Sequence, residues 1–208
     1  MKVTVEPATL ASIHSLGISA SRDDVTPVIT QIALKREGMA LRAMATDRYM
    51  VLSGLYNELE FDNWEDGDTI LVDPSALKRA IDIKKANKNG ILPIVIMKNE
   101  HGVVSAVVDD LNFVDLGSVQ GAFPPVTKLF PEGEPTGAGS LNIRPDFLAK
   151  LAKVLPPVVK PERERTWRFE FRTIADAPHK PQPVYAQYSD GAKYKLEALI
   201  QPALDRSK

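Results

Sequence analysis

The chain has 208 residues, 44% of them hydrophobic and 25% charged, and no cysteine. That is enough apolar material for one or two globular domains, while the missing thiols exclude disulfides, thiolate catalysis and cysteine-ligated metals. A formal net charge of −1 argues against a uniformly basic nucleic-acid module.

The N-terminal stretch Val3 to Val5 alternates as a strand does and leads into Glu6-Pro7, where a helix starts with Leu10, Ile13 and Ala11 inward and Ser12, His14 and Ser15 elsewhere. Strand-like segments follow at 26–35, 39–45 and 50–56, with Gly38 as a turn. Residues 57–68 then collect six acids without a base and read as an outward acidic loop. Its run Asp62 to Asp68 only faintly resembles a calcium loop, because Trp64 stands in a ligand slot. Ile70 to Val72 begins the next strand, Asp73 is a good helix cap, and Pro74 opens a helix over 74–86. Leu77, Ala80, Ile81 and Lys84 recur there at the spacing of one face, with Lys78 and Lys85 on another side. Strands are expected at 94–98, 103–108 and 112–116. After a Gly- and Pro-rich linker come a strand at Leu141 to Ile143 and a helix over 145–155. That helix turns Phe147, Leu148, Leu151, Ala152 and Leu155 inward and Lys150 and Lys153 outward; strands at 166–172, 183–188 and 194–200 complete the chain.

Three of these segments share one pattern. Val3-Thr4-Val5-Glu6-Pro7-Ala8-Thr9-Leu10, Ile70-Leu71-Val72-Asp73-Pro74-Ser75-Ala76-Leu77 and Leu141-Asn142-Ile143-Arg144-Pro145-Asp146-Phe147-Leu148 each read as strand, cap position, proline, two variable residues and leucine. Proline suits the first helical turn, where its missing N–H has no intrahelical partner, and the near-constant spacing marks an internal repeat. The expected fold class is therefore α+β: three β-α-β-β-β units with helices on one face of antiparallel sheets. Units 1–68 and 69–121, with a linker to 131, make one complete domain, and 132–208 makes half of another.

No catalytic or cofactor constellation emerges. His14, His101 and His179 have no ligand spacing, neither phosphate-loop nor dinucleotide-loop glycines follow a strand, and Asp47 lacks a second carboxylate or base at readable spacing. The expectation is a protein without enzymatic activity, cofactor or metal. Nothing nears the roughly 18 apolar residues of a membrane span, and Met1 to Glu6 has no signal-peptide core, so the cytoplasm is the expected compartment. What remains is charge. Lysines on a helix face are usually only solvated, but two repeat-related helices, each basic on its free face, point toward weak, sequence-independent contact with a polyanion.

Leu41-Arg42-Ala43-Met44-Ala45-Thr46-Asp47-Arg48-Tyr49-Met50-Val51 resembles the hairpin that opens the middle domain of the bacterial DNA polymerase III beta subunit, the sliding clamp. Ala122-Phe123-Pro124-Pro125-Val126-Thr127-Lys128-Leu129-Phe130-Pro131 is similar to that family's inter-domain linker, and Tyr194 to Pro202 to its C-terminal strand. The resemblance implies a non-enzymatic processivity factor whose helices line a ring around double-stranded DNA. Lys78, Arg79, Lys84, Lys85, Lys88, Lys150 and Lys153 would then face the duplex. It also implies a pocket for the apolar peptides of polymerase and other clients, at Ile29, Thr46, Val51, Pro124, Leu129 and Ile200. The chain departs from the family at Arg48 and Met50, on that pocket's rim. Family chains carry six units and this one three, so a ring of about twelve units would need a homo-tetramer. An adaptor that keeps the fold and the pocket but forms no ring is the alternative.

Overall fold

The computed structural model describes residues 1–86, 93–109, 112–117, 119–130, 143–154, 156–157, 166–170, 183–189 and 193–202. The first unit runs β1 (Lys2–Val5), α1 (Pro7–Leu16), β2 (Ile32–Glu37), β3 (Ala40–Thr46) and β4 (Met50–Tyr56), followed by a short β5 (Glu60–Asp62). The second runs β6 (Thr69–Val72), α2 (Pro74–Ala86), β7 (Ile94–Lys98), β8 (Val104–Val107) and β9 (Phe113–Gly117). The third contributes α3 (Pro145–Lys153), β10 (Arg168–Glu170), β11 (Val184–Ser189) and β12 (Tyr194–Ile200). Its expected opening strand at Leu141 to Ile143 falls largely outside the described residues.

The three helix starts follow the expected chemistry. Asp73 Oδ1 accepts the Ala76 N–H at 2.7 Å, one of the donors that a helix start leaves without an intrahelical partner. Glu6 and Arg144 make no such side-chain cap. There the proline just inside the helix supplies the preset φ alone.

Two sheets result, ordered β5-β1-β7-β8-β9 and β10-β11-β12-β4-β3-β2-β6. Units one and two exchange their first strands: β1 pairs with β7, and β6 pairs with β2. Neither unit can close its sheet alone. The third joins by its last strand, β12 lying antiparallel to β4 from Tyr194 opposite Tyr56 to Ile200 opposite Met50.

One apolar core fills the space between the sheets and all three helices. α1 is buried more completely than its spacing predicts, because Ser12 and Ser15 go inside as well. Ser12 Oγ and the Tyr56 hydroxyl lie 2.9 Å apart, and Ser15 Oγ donates to the Ser12 carbonyl at 2.6 Å. These bonds remove the desolvation cost of buried hydroxyls. Burial pushes the Tyr56 phenol well above its usual range. Two glycines make this packing possible. A Cβ on Gly54 would sit 2.6 Å from the Tyr56 hydroxyl, so the Tyr56 ring requires glycine there, and one on Gly17 would press on Pro74 Cβ at 3.0 Å, at the start of α2.

Two local expectations change. The strand expected from Thr26 begins only at Ile32, since Pro27–Thr30 forms a 3-10 turn; proline has no N–H for a ladder and its φ suits a tight turn. The acidic loop contains β5, which pairs with β1, and it is anchored by Trp64. That ring is 1% exposed and donates its Nε1–H to the Asp68 carbonyl at 3.0 Å. Arg36 stacks on the neighbouring Phe61 ring at 5.0 Å and donates to the Trp64 carbonyl.

Candidate functional site

The helices form a row. α1 packs on α2, and α3 packs beside the 3-10 turn Gly17–Ser19 that ends α1. On the exposed side of α2 stand Lys78, Arg79 and Lys85, and α3 exposes Lys153. Lys78 is matched by Asp82 four residues on, at 2.7 Å, and the hydrogen bond from Lys78 holds the Asp82 carboxyl below its ordinary range. Arg79 reaches the Asp115 carbonyl at 3.5 Å. Among the described residues Lys85 and Lys153 make no ion pair. His14, half-buried on α1, has its pKa lowered by burial and then by Lys78, with Asp82 opposing and Lys85 adding to the effect.

Two expected members of the basic set stand elsewhere. Lys84 is 5% exposed and donates its ammonium to the Val108 carbonyl at 3.3 Å. Its place on the apolar stripe of α2 turns the side chain into the protein, so it does not face outward with Lys78 and Lys85. Lys150 is held at 2.6 Å by Asp47. Lys88 lies outside the described residues.

That aspartate has a structural assignment. Asp47 Oδ1 accepts the N–H groups of Tyr49 and Met50 at 3.0 and 2.8 Å, closing the β3–β4 turn, and Thr46 Oγ1 accepts from Arg48 N while donating to the Met50 carbonyl. Arg48 takes a left-handed φ of 74° at the tip. The Thr-Asp pair is turn chemistry, and Oδ2 uses its remaining capacity to tie the third unit to the first.

The second face of the seven-stranded sheet carries the positions expected for a peptide pocket. Ala33, Met44, Val51, Leu71, Tyr185 and Leu199 form a small apolar cluster there with Val126. Residues of the linker, Phe123 and Phe130 among them, pack against it, the Phe130 ring meeting Tyr185 edge-on at 6.1 Å. Of the six expected residues, Val51 belongs to this cluster and Thr46 shares its strand face. Ile29 is buried in the Pro27–Thr30 turn, Pro124 is half-buried, and Leu129 is 62% exposed on the 3-10 turn Val126–Leu129. Ile200 faces the other way, into the main core. Leu199 is the residue opposite Val51, because one step along a strand reverses the face.

Beside the apolar cluster the same face turns polar. Arg42 bonds Glu37 at 2.7 Å, Ser53 at 3.0 Å and Glu197 at 3.1 Å. Glu197 also accepts from the Tyr185 hydroxyl and from Lys195, both at 2.7 Å. Burial works against the Glu197 carboxylate, but these donors outweigh it and hold its pKa below the usual value. Tyr185 is pushed up to about 12 by burial, the Glu197 carboxylate adding to the rise. The network straddles the β4–β12 seam between the first and third units. Nothing in the composition or spacing pointed to it; the alternation of β12 against β4 is the signal that would have.

A row of helices on one side, antiparallel sheets shared between repeated units, and a seam between last strands define the DNA-clamp fold. Solved structures of bacterial DNA polymerase III beta subunits have the same architecture. The sliding clamp from Pseudomonas aeruginosa is similar with a TM-score of 0.73 at 12% identity, over 99% of this chain and 67% of its own. The beta subunit from Streptococcus pyogenes matches with a TM-score of 0.69 at 15% identity, over 97% of this chain and 65% of its own. The beta clamp from Helicobacter pylori matches with a TM-score of 0.72 at 10% identity, over 98% and 66%. This chain thus spans about two thirds of the length of those proteins. No family model and no curated protein matches the sequence. Among the described residues no helix is long and apolar enough to cross a membrane.

Proposed function

We propose that the chain is a sliding-clamp-like processivity factor: a non-enzymatic module that closes around duplex DNA as a ring of several copies and tethers polymerase and other clients by apolar peptides. Units 1–68 and 69–121 with the linker to 131 act as one clamp domain, and 132–208 as half of a second. The observation that carries the reading is the match of nearly the whole chain to beta-subunit structures, and the exposed bases on α2 and α3 are consistent with it. A topological tether needs little affinity, and few phosphate contacts keep the grip weak and mobile. In this reading Arg79, Lys85 and Lys153 supply it, and the apolar face around Val51 and Leu199 takes an inserted hydrophobic anchor.

Retention on DNA tests this. The protein, assembled on a closed circular plasmid with the replication extract that hosts it, is expected to co-elute with the circle and to be lost when the circle is cut once. Arg79→Glu, Lys85→Glu and Lys153→Glu together should abolish retention while leaving the circular dichroism spectrum unchanged. Equal retention on cut and closed DNA removes the proposal. The adaptor reading, clamp fold and peptide face without a ring, is favoured by one observation: Lys84 is buried and Lys78 and Lys150 are ion-paired, which leaves the helix row sparsely basic. Client-peptide binding without retention on closed circles would select it.

A further inference from the structure

The acidic stretch 57–68 plays no part in the clamp reading, and its acids fall into two groups. Some serve the fold: Asp62 pairs with Lys2 at 3.3 Å, and Asp66 Oδ1 accepts the Gly38 N–H at 2.7 Å at the tip of the β2–β3 hairpin. Glu58 and Glu60 are both exposed, and neither makes an ion pair among the described residues. These two stand at an open groove of about 720 Å³. Met39 of the hairpin tip, Leu55 of β4 and Leu59 supply its apolar surface; Glu37, Glu58 and Glu60 supply its charge, and no Lys or Arg lines it. Glu37 is already bonded to Arg42 and Lys35, which leaves Glu58 and Glu60 as the uncompensated pair. The groove is preformed. The Leu59 N–H donates to the Met39 carbonyl at 3.4 Å, and Arg36, stacked on Phe61, donates its Nε–H to the Gly38 carbonyl at 2.9 Å. These bonds tie the hairpin tip to the acidic stretch before anything binds.

We infer that this groove is a docking site for a basic, apolar peptide segment of a partner protein, with an apolar side chain over Met39, Leu55 and Leu59 and a neighbouring Lys or Arg at Glu58 and Glu60. Charge complementarity selects the occupant. Carboxylates without bases repel an acidic segment or a nucleic acid and attract a cation. The long stem of Lys or Arg can lie along the apolar surface while its head reaches a carboxylate. Keeping DNA off this surface would need the acids alone. It would not need Met39, an unbranched side chain 69% exposed, of the kind that adapts its shape to a bound chain. The groove is separate from the apolar face around Val51 and Leu199. Val51, Ser53 and Leu55 follow one another on the same side of β4, and the bonds of Arg42 to Ser53 and Glu197 stand between the two sites. The inference does not rest on the clamp reading.

The test is selection of a random octapeptide library, displayed on phage, against the full 208-residue chain. Depletion on the double variant Glu58→Lys, Glu60→Lys removes peptides that bind any other surface. The survivors are expected to share an apolar residue beside a Lys or Arg. A synthetic survivor should bind the parent at least tenfold more tightly than the double variant, and at least tenfold more tightly than Met39→Ser. Its affinity should fall as salt is raised. All three substituted side chains are exposed, so each variant should keep the parent's thermal unfolding temperature. Phe113→Asp, at an exposed apolar residue on the opposite edge of the five-stranded sheet, should leave the affinity unchanged. No peptide surviving depletion, survivors without a basic residue, or an affinity indifferent to Met39→Ser overturns the inference.

Discussion

The two faces of the seven-stranded sheet are made from the same strands and solve opposite problems. On the core face Met50, Leu52, Leu196, Ala198 and Ile200 join the main apolar core, where the few buried hydroxyls, such as Tyr56 with Ser12, bond one another. On the other face, one residue out of step, Val51 and Leu199 lie under the linker, while Arg42, Glu197 and Tyr185 form a bonded polar array across the seam. A face closed by the protein's own helices is ordered mainly by volume and apolarity. A face that joins two units and receives a loop takes its order from directional bonds, which tolerate no slip in register.

Truncation should separate the faces most sharply. Ile200→Ala removes a fully buried side chain from the main core, where a cavity cannot readily collapse, and should cost about 2–5 kcal/mol in urea unfolding. Leu199→Ala, beneath a linker free to settle, should cost about half of that. If the two variants lose the same stability, the second cluster is as rigid as the core and the distinction between the faces fails.

The elements, their order and most boundaries were legible in the sequence, because strand alternation and the proline-led helix starts are local signals. β4, β7 and β12 begin and end where the pattern puts them. What was not legible depended on partners far away in sequence. Lys84 reads as a basic helix residue until Val108, contributed by the following strands, supplies its acceptor. Ile200 and Leu199 are equally apolar, and only the pairing of β12 with β4 decides which one joins Val51. Lys150 looks free until the β3–β4 turn delivers Asp47. The candidate site is drawn from three separated motifs, so it inherits all of these ambiguities at once.

Within the polar face, Glu197→Gln should have the next largest effect. The amide keeps the shape but leaves Arg42 and Lys195 short of a charged acceptor in a poorly hydrated place, a loss of about 1.5–3 kcal/mol at neutral pH. The pH dependence has a definite sign. The Glu197 pKa is lowered in the folded protein, so the unfolded chain binds the proton more readily. The carboxylate's contribution is complete above its ordinary value of 4.5 and is lost as the pH falls through the folded value. Stability measured from pH 7 downward should fall less steeply in Glu197→Gln than in the parent. Parallel curves would mean that Glu197 is not the group the donors stabilise.

Tyr185→Phe is the finest cut, since it deletes one oxygen and keeps the ring that meets Phe130. Its hydroxyl donates to Glu197 at 2.7 Å, a bond to a charged acceptor, yet Lys195 and Arg42 remain to hold that carboxylate. The cost should therefore be about 1 kcal/mol, toward the low end for a charge-assisted bond. The alkaline limb carries the more specific signature. A phenol raised from 10.0 to about 12 stays protonated in the folded state while the unfolded chain gives its proton up, so its contribution is whole below pH 10 and declines as the pH rises toward 12. The parent should lose this increment of stability over that window, and Tyr185→Phe should lack it. A tyrosinate absorbance rise centred near pH 10 for Tyr185, read as the difference between parent and variant, would show that the hydroxyl faces water and that the seam is not sealed at this point.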